Sequence, residues 1–207
     1  MSEMLLRSQD VPLWQAAKPY LDVRNNDEHT LVAYGLGKAL LERIPEANAD
    51  VVLPAILLHD VGWKRIDPDL LLLAIGKNPT RKDLVRDHEV HGVEIAEKIM
   101  RAHHIDDSLT QSILAIIDGH DTVKEALSIN DAVMKDADKG WRTTPHGMRT
   151  ICGWYDIGPM EYVETIEKVS LPFMLTDAGR AISHGFIASV RAEQGLEVYM
   201  QSEARDV

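Results

Sequence analysis

The chain has 207 residues, 45% of them apolar and 27% charged, with a formal net charge of −11. These proportions describe a folding chain with room for a sizeable core and exclude a disordered polymer. The acidic surplus excludes an extended grip on nucleic acid, which needs an excess of Lys and Arg, and leaves small molecules as the expected partners.

Apolar residues recur at helical spacing along nearly the whole chain and alternating β-branched runs are scarce, so a single all-α helical bundle over 1–207 is expected. The first residues lack the basic, apolar and small-residue order of a signal peptide, and a cytoplasmic location is the expectation. Helices are predicted at roughly 3–22, 28–44, 50–60, 67–75, 81–102, 107–119, 126–141, 160–168 and 176–201. Pro12 and Pro19 should break or kink the first of them. Asp50 is expected to cap the helix that opens at Val51, and Asp107 or Ser108 the helix of Leu109.

The apolar runs Val51 to Leu58 and Leu70 to Ile75 are far too short to span a bilayer, so no membrane role is expected. The stretch 143–159 holds two prolines and three glycines and reads as a long surface loop. It contains Cys152, the one cysteine, which excludes an internal disulfide framework and suits a reducing compartment. The last helix has Ala181, Phe186 and Val190 as its apolar face, which either completes the bundle or forms a homodimer contact.

Ionisable residues that interrupt apolar stripes carry the functional signal, because a helix that buries one face should keep charge off it. His29 extends the stripe of Val32, Leu36 and Leu40 by one turn. His59 and Asp60 stand at the end of the stripe of Val52, Ala55 and Ile56, and His120 at the end of that of Ile113, Ile116 and Ile117. His88 and His91 both precede the stripe of Gly92, Ile95 and Ile99, and Asp138 closes the series. Imidazoles and carboxylates gathered in a helical core are costly to bury unless a divalent metal binds them, and several imidazoles with two carboxylates suit iron, manganese, zinc or nickel more than calcium.

The ordered set His29, His59-Asp60-Val61-Gly62, His88 before Gly92, His120 and Ala137-Asp138-Lys139 resembles the HD superfamily of metal-dependent phosphohydrolases between about 27 and 141. An HD-type bundle with extra C-terminal helices at about 160–201 is what that resemblance implies. It implies that His29, His59, Asp60 and Asp138 hold one divalent ion (Fe, Mn, Ni, Zn, Co or Mg). His88 and His120 would hold a second ion, with Asp60 bridging. His88 is preferred to His91 because it stands four residues before Gly92, as the corresponding ligand does in the family. Trp63 followed by Lys64 and Arg65, and Gly140 after Asp138-Lys139, depart from the family pattern.

The activity so implied is hydrolysis of a small-molecule phosphate ester or nucleotide by metal-activated water. The catalytic set is Asp60, Lys64 and Arg142, with Arg142 the preferred phosphate contact. Glu28, Asp121 and Asp136 are candidates to orient ligand imidazoles or to move a proton. His146, with Arg149, is a candidate substrate contact within the long loop. Trp63, Trp141 and Trp154 are either core residues or platforms for a nucleobase. Two rival readings stand beside this one: an HD-type diiron oxygenase that cleaves a C–C or C–P bond, and a non-catalytic regulator that binds metal and ligand.

Overall fold

In the computed structural model, which describes residues 5–75 and 79–203, the described residues form ten α-helices and no strand. These are α1 (Val11–Ala17), α2 (Asn26–Leu41), α3 (Ala49–Leu58), α4 (Leu71–Ile75) and α5 (Asp83–Ala102). They continue as α6 (Asp107–Ile117), α7 (Ile129–Trp141), α8 (Pro145–Tyr155), α9 (Pro159–Val169) and α10 (Asp177–Glu203). The all-α expectation therefore holds. Positions 3 and 4 of the first expected helix lie outside the described residues; the rest of it is divided among 3-10 turns and α1, with Pro12 and Pro19 each in the opening positions of a new segment.

The centre of the bundle is α3. Every residue from Val51 to Leu58 is buried, and α2, α6 and α7 pack around them. A helix this short would not persist alone in water, so its stability comes from packing, at roughly 1.5–3 kcal/mol for each large side chain withdrawn from solvent. Its cap is Asn48, which accepts the Asp50 amide at 2.8 Å, so Asp50 belongs to the first turn and is not the cap. At α6 the cap is likewise ahead of the expected residues: Asp106 accepts the amides of Ser108 and Leu109.

Beyond α3 the backbone tightens into a 3-10 turn, Val61–Arg65, that lies against α5. A Cβ on Gly62 would stand 1.9 Å from the His88 carbonyl oxygen, and one on Gly92 would stand 3.1 Å from that of His59. This glycine-to-glycine approach brings the end of α3 beside the middle of α5.

The stretch 143–159 is not a surface loop. Its prolines open helices, Pro145 in α8 and Pro159 in α9, and Thr144 caps α8 by accepting the Gly147 amide at 3.0 Å. Met148 and Ile151 of α8 meet Tyr162, Val163 and Ile166 of α9 and Trp141 in an apolar cluster of their own. The inner face of α10 also differs from expectation: among its described residues Gly179, Ser183 and Ile187 are buried, Ala181 is exposed and Phe186 only half-buried. Asp136 fixes that register by accepting the amides of Leu175 and Thr176 at 2.7 and 2.8 Å just before the helix begins.

Candidate metal centre

His59 and Asp60 follow directly on α3, His120 stands three residues past the end of α6, His29 lies in the first turn of α2, His88 in α5 and Asp138 in α7. His59 Nδ1 donates to the Ile56 carbonyl at 2.8 Å, and His120 Nδ1 donates to the Ile117 carbonyl at 2.8 Å. Each of these bonds fixes a ring with Nε2 directed inward, as a metal ligand requires.

The inward atoms form two groups joined by Asp60. In the first, His29 Nε2 lies 3.2 Å from His59 Nε2 and 3.2 Å from Asp138 Oδ1, while Asp60 Oδ2 lies 3.5 Å from His59 Nε2. In the second, His88 Nε2 lies 3.2 Å from His120 Nε2. Asp60 Oδ1 lies 3.6 Å from His120 Nε2, and Asp121 Oδ2 lies 3.8 Å from His88 Nε2. Asp60 thus turns one oxygen to each group. Buried nitrogens facing each other in pairs are poor mutual partners but good shared ligands. The donors fit divalent cations: His29–His59–Asp138, His59–Asp60–His120 and His88–His120–Asp121 each bring ligand atoms within 4.8 Å of one another.

Trp63 supports the second group twice. Its indole nitrogen donates to Asp60 Oδ1 at 3.1 Å, and its ring stacks on His88 with centroids 3.9 Å apart. The donors open into a cavity of about 450 Å³. Asp60, Asp121 and Asp138 reach its inner end, Arg24 and Arg142 are on its wall, and Trp154, Tyr155, Ile151 and Ile166 line it further out.

The family model for the HD domain matches residues 26–139, which is more than half of the chain and contains all six ligand candidates. The chain belongs to the HD-domain family. That places it among proteins that bind divalent metals and typically act as hydrolases. A crystal structure of a protein from Lactobacillus plantarum, a structural-genomics target, is similar to this HD-domain protein in fold. It shares 17% identity and a TM-score of 0.56, covering 93% of this chain and 100% of the other. No curated protein matches the chain.

The electrostatics of this HD-domain protein follow from burial and from the two carboxylates at its centre. Burial disfavours charge on His59, but Asp60 and Asp138 outweigh it and raise the ring's pKa to about 10. His88 goes the other way: burial and the neighbouring His120 lower it to about 4. Although burial alone would raise the Asp60 and Asp138 carboxyls, the surrounding imidazoles bring both far below the ordinary carboxylate range. Both carboxylates stay ionised, as ligands must be.

The structure brings together His29, His59, Asp60, His88, His120 and Asp138, and leaves His91 outside, where its Nδ1 meets Arg65 at 3.5 Å. Lys64 is not brought to the cavity: the 3-10 turn that sends Trp63 inward sends Lys64 outward, to an ion pair with Asp22 at 2.6 Å. Arg65 also faces outward and pairs with Glu94. Asp136 serves the start of α10 and orients no imidazole. Glu28 reaches a ligand indirectly: it accepts from His146 Nε2 at 2.9 Å, His146 Nδ1 accepts from Trp141 at 3.1 Å, and the Trp141 ring packs edge-on against His29.

Two residues were not legible in these roles. Asp121 was expected to orient a ligand and instead belongs with the donors, because its carboxylate follows His120 out of the same turn. Arg24 stands in no motif; it enters the cavity because residues 24 and 25 both take left-handed backbone, with φ of 52° and 59°.

Proposed function

We propose that this protein is a metal-dependent phosphohydrolase that acts on a small-molecule phosphate ester, with nucleotides among the candidates. One observation carries the reading: the Asp60-bridged donor groups open into the same cavity as two arginines. His29, His59, Asp60 and Asp138 would hold one divalent ion, and Asp60, His88, His120 and Asp121 a second. Bound there, such ions supply Lewis acidity toward a phosphoryl oxygen and lower the pKa of water near it. Arg142, drawn to Asp138 and Asp121 by charge, would neutralise the non-bridging oxygens as the ester bond to phosphorus breaks. Asp121, which is partly exposed and lines the cavity, would take the proton of the attacking water. Trp63 holds Asp60 in its bridging orientation, and the Ile56 and Ile117 carbonyls hold the rings of His59 and His120.

The net negative charge of the chain and its lone cysteine support a small-molecule substrate and a cytoplasmic setting. Among the described residues no helix is long and apolar enough to cross a membrane. The bridged donor set also suits a pair of irons, which keeps an HD-type diiron oxygenase as the second reading. The test is metal analysis of protein purified without chelator, followed by a phosphoester panel under strict anaerobiosis. Anaerobic release of phosphate, lost in His29→Ala and His120→Ala, supports hydrolysis. Iron-loaded protein that turns over only with dioxygen overturns it in favour of the oxygenase.

A further inference from the structure

Resting on the phosphohydrolase reading, we propose that the substrate is a phosphate monoester of a compact hydrophobic alcohol or phenol. Its phosphate would lie between Arg24 and Arg142 and its organic group against Trp154. The cavity is lined by two unlike sets of residues. Arg24 and Arg142 are the cations among its described lining residues, and both stand on the wall it shares with the candidate metal ligands. Neither has a carboxylate within ion-pair distance among the described residues; Asp60 favours charge on both, and Arg142 disfavours it on Arg24. Two half-buried guanidiniums on one cavity, balanced only by carboxylates beyond ion-pair distance, suit an anion between them.

The aim of Arg24 is built in. Its left-handed backbone, followed by a second left-handed residue at Asn25, is a costly conformation of the kind that folds retain where a side chain must be held in place. Its guanidinium lies 4.3 Å over the Trp154 ring, so α8 holds the arginine while also walling the cavity.

Beyond the arginines, Ile75, Ile151, Ile157, Ile166 and Val169 line the space, with Trp154 at its side. Among the described lining residues a second or third phosphate would find no further cation and would meet Glu161; the Tyr155 and Tyr162 hydroxyls donate to the Ile75 and Arg142 carbonyls, so Asn26, Thr165 and Ser170 are few to replace the water around a ribose or polyol. An aryl or branched alkyl group gains instead, since each buried carbon raises affinity roughly fourfold.

The test uses metal-loaded full-length protein and two non-hydrolysable probes. Calorimetry should show phenylphosphonate binding at least about tenfold tighter than methylphosphonate. Trp154→Ala should bring that ratio towards one and Trp154→Phe should keep it, while Arg24→Gln should weaken both probes together. In turnover, phenyl phosphate should exceed glycerol phosphate, AMP and ATP in kcat/KM. Equal binding of the two phosphonates, or a preference for ATP or glycerol phosphate, overturns the substrate assignment and leaves the phosphohydrolase standing. No turnover of any ester, with phosphonate binding intact, overturns the phosphohydrolase and the assignment with it.

Discussion

Replacing Trp63 with Phe separates what the indole nitrogen does from what the ring does. Phe keeps an aromatic face over His88, now stacked at 3.9 Å, and removes the 3.1 Å hydrogen bond to Asp60 Oδ1. A hydrogen bond to a carboxylate contributes about 1.5–3 kcal/mol, and about 1.4 kcal/mol is a factor of ten. Affinity for the ion between Asp60, His88 and His120 should therefore fall about 10–100-fold, the range expected for a partner that orients a ligand. Titration against a competing chelator reads this directly. The smaller ring also leaves a gap beside Ile66, Leu71 and Leu84, costing about 1–2 kcal/mol of folding stability. That loss appears equally in the melting of chelator-stripped protein, so the two effects are separable. Unchanged affinity at both sites in Trp63→Phe would refute the positioning role.

Three further outcomes are expected. Arg142→Ala should lower kcat/KM for phosphoester hydrolysis about 100-fold, while Lys64→Ala, which breaks only the exposed pair with Asp22, should change it less than twofold; equal losses would contradict the assignment. In stripped protein, the raised pKa of His59 contributes stability that is complete below about pH 6.5 and lost as pH rises through about 10. Thermal melts should therefore fall between neutral and alkaline pH in stripped protein and much less with metal bound; parallel curves would count against it. Gly62→Ala would drive its methyl into the His88 carbonyl, so a destabilisation of about 3 kcal/mol or more, with loss of bound metal, is expected in denaturant titrations and elemental analysis.

Most metal donors are legible because burying a charged residue needs a reason. His29, His59, Asp60, His88 and His120 each extend, precede or end an apolar stripe, whereas Asp138 stands in no such stripe and is marked by the resemblance of Ala137-Asp138-Lys139 to the family. What the inner faces looked like was less legible. In α2 the buried positions are His29, Thr30, Ala33, Tyr34, Gly37 and Leu40, while Val32 and Leu36 are only half-buried; α3 lies so close that a Cβ on Gly37 would stand 2.5 Å from the Ile56 side chain. The helices within 143–159 are hidden because proline and glycine punctuation with little periodicity reads as loop, whereas Pro145 and Pro159 occupy first-turn positions in which the missing amide hydrogen costs nothing. Arg24 has no sequence signal, since a left-handed turn before a helix has no periodicity and Arg, unlike Gly, does not mark that backbone. Lys64 failed for a related reason: proximity in sequence to Asp60 says nothing about direction once the helix tightens, and the turn sends neighbours to opposite sides.

The helix in place of a loop at Pro145–Tyr155 divides the molecule's labour along the chain. The six expected metal donors lie between His29 and Asp138, whereas Ile151, Trp154, Tyr155 and Ile166, which shape the far end of the cavity, come later. Selection can rewrite that later segment without touching the donors, so one inorganic reaction centre can be refitted to new substrates by exchanging its wall. In a protein engineer's hands the same division makes 145–169 the stretch to randomise when a different ester is wanted.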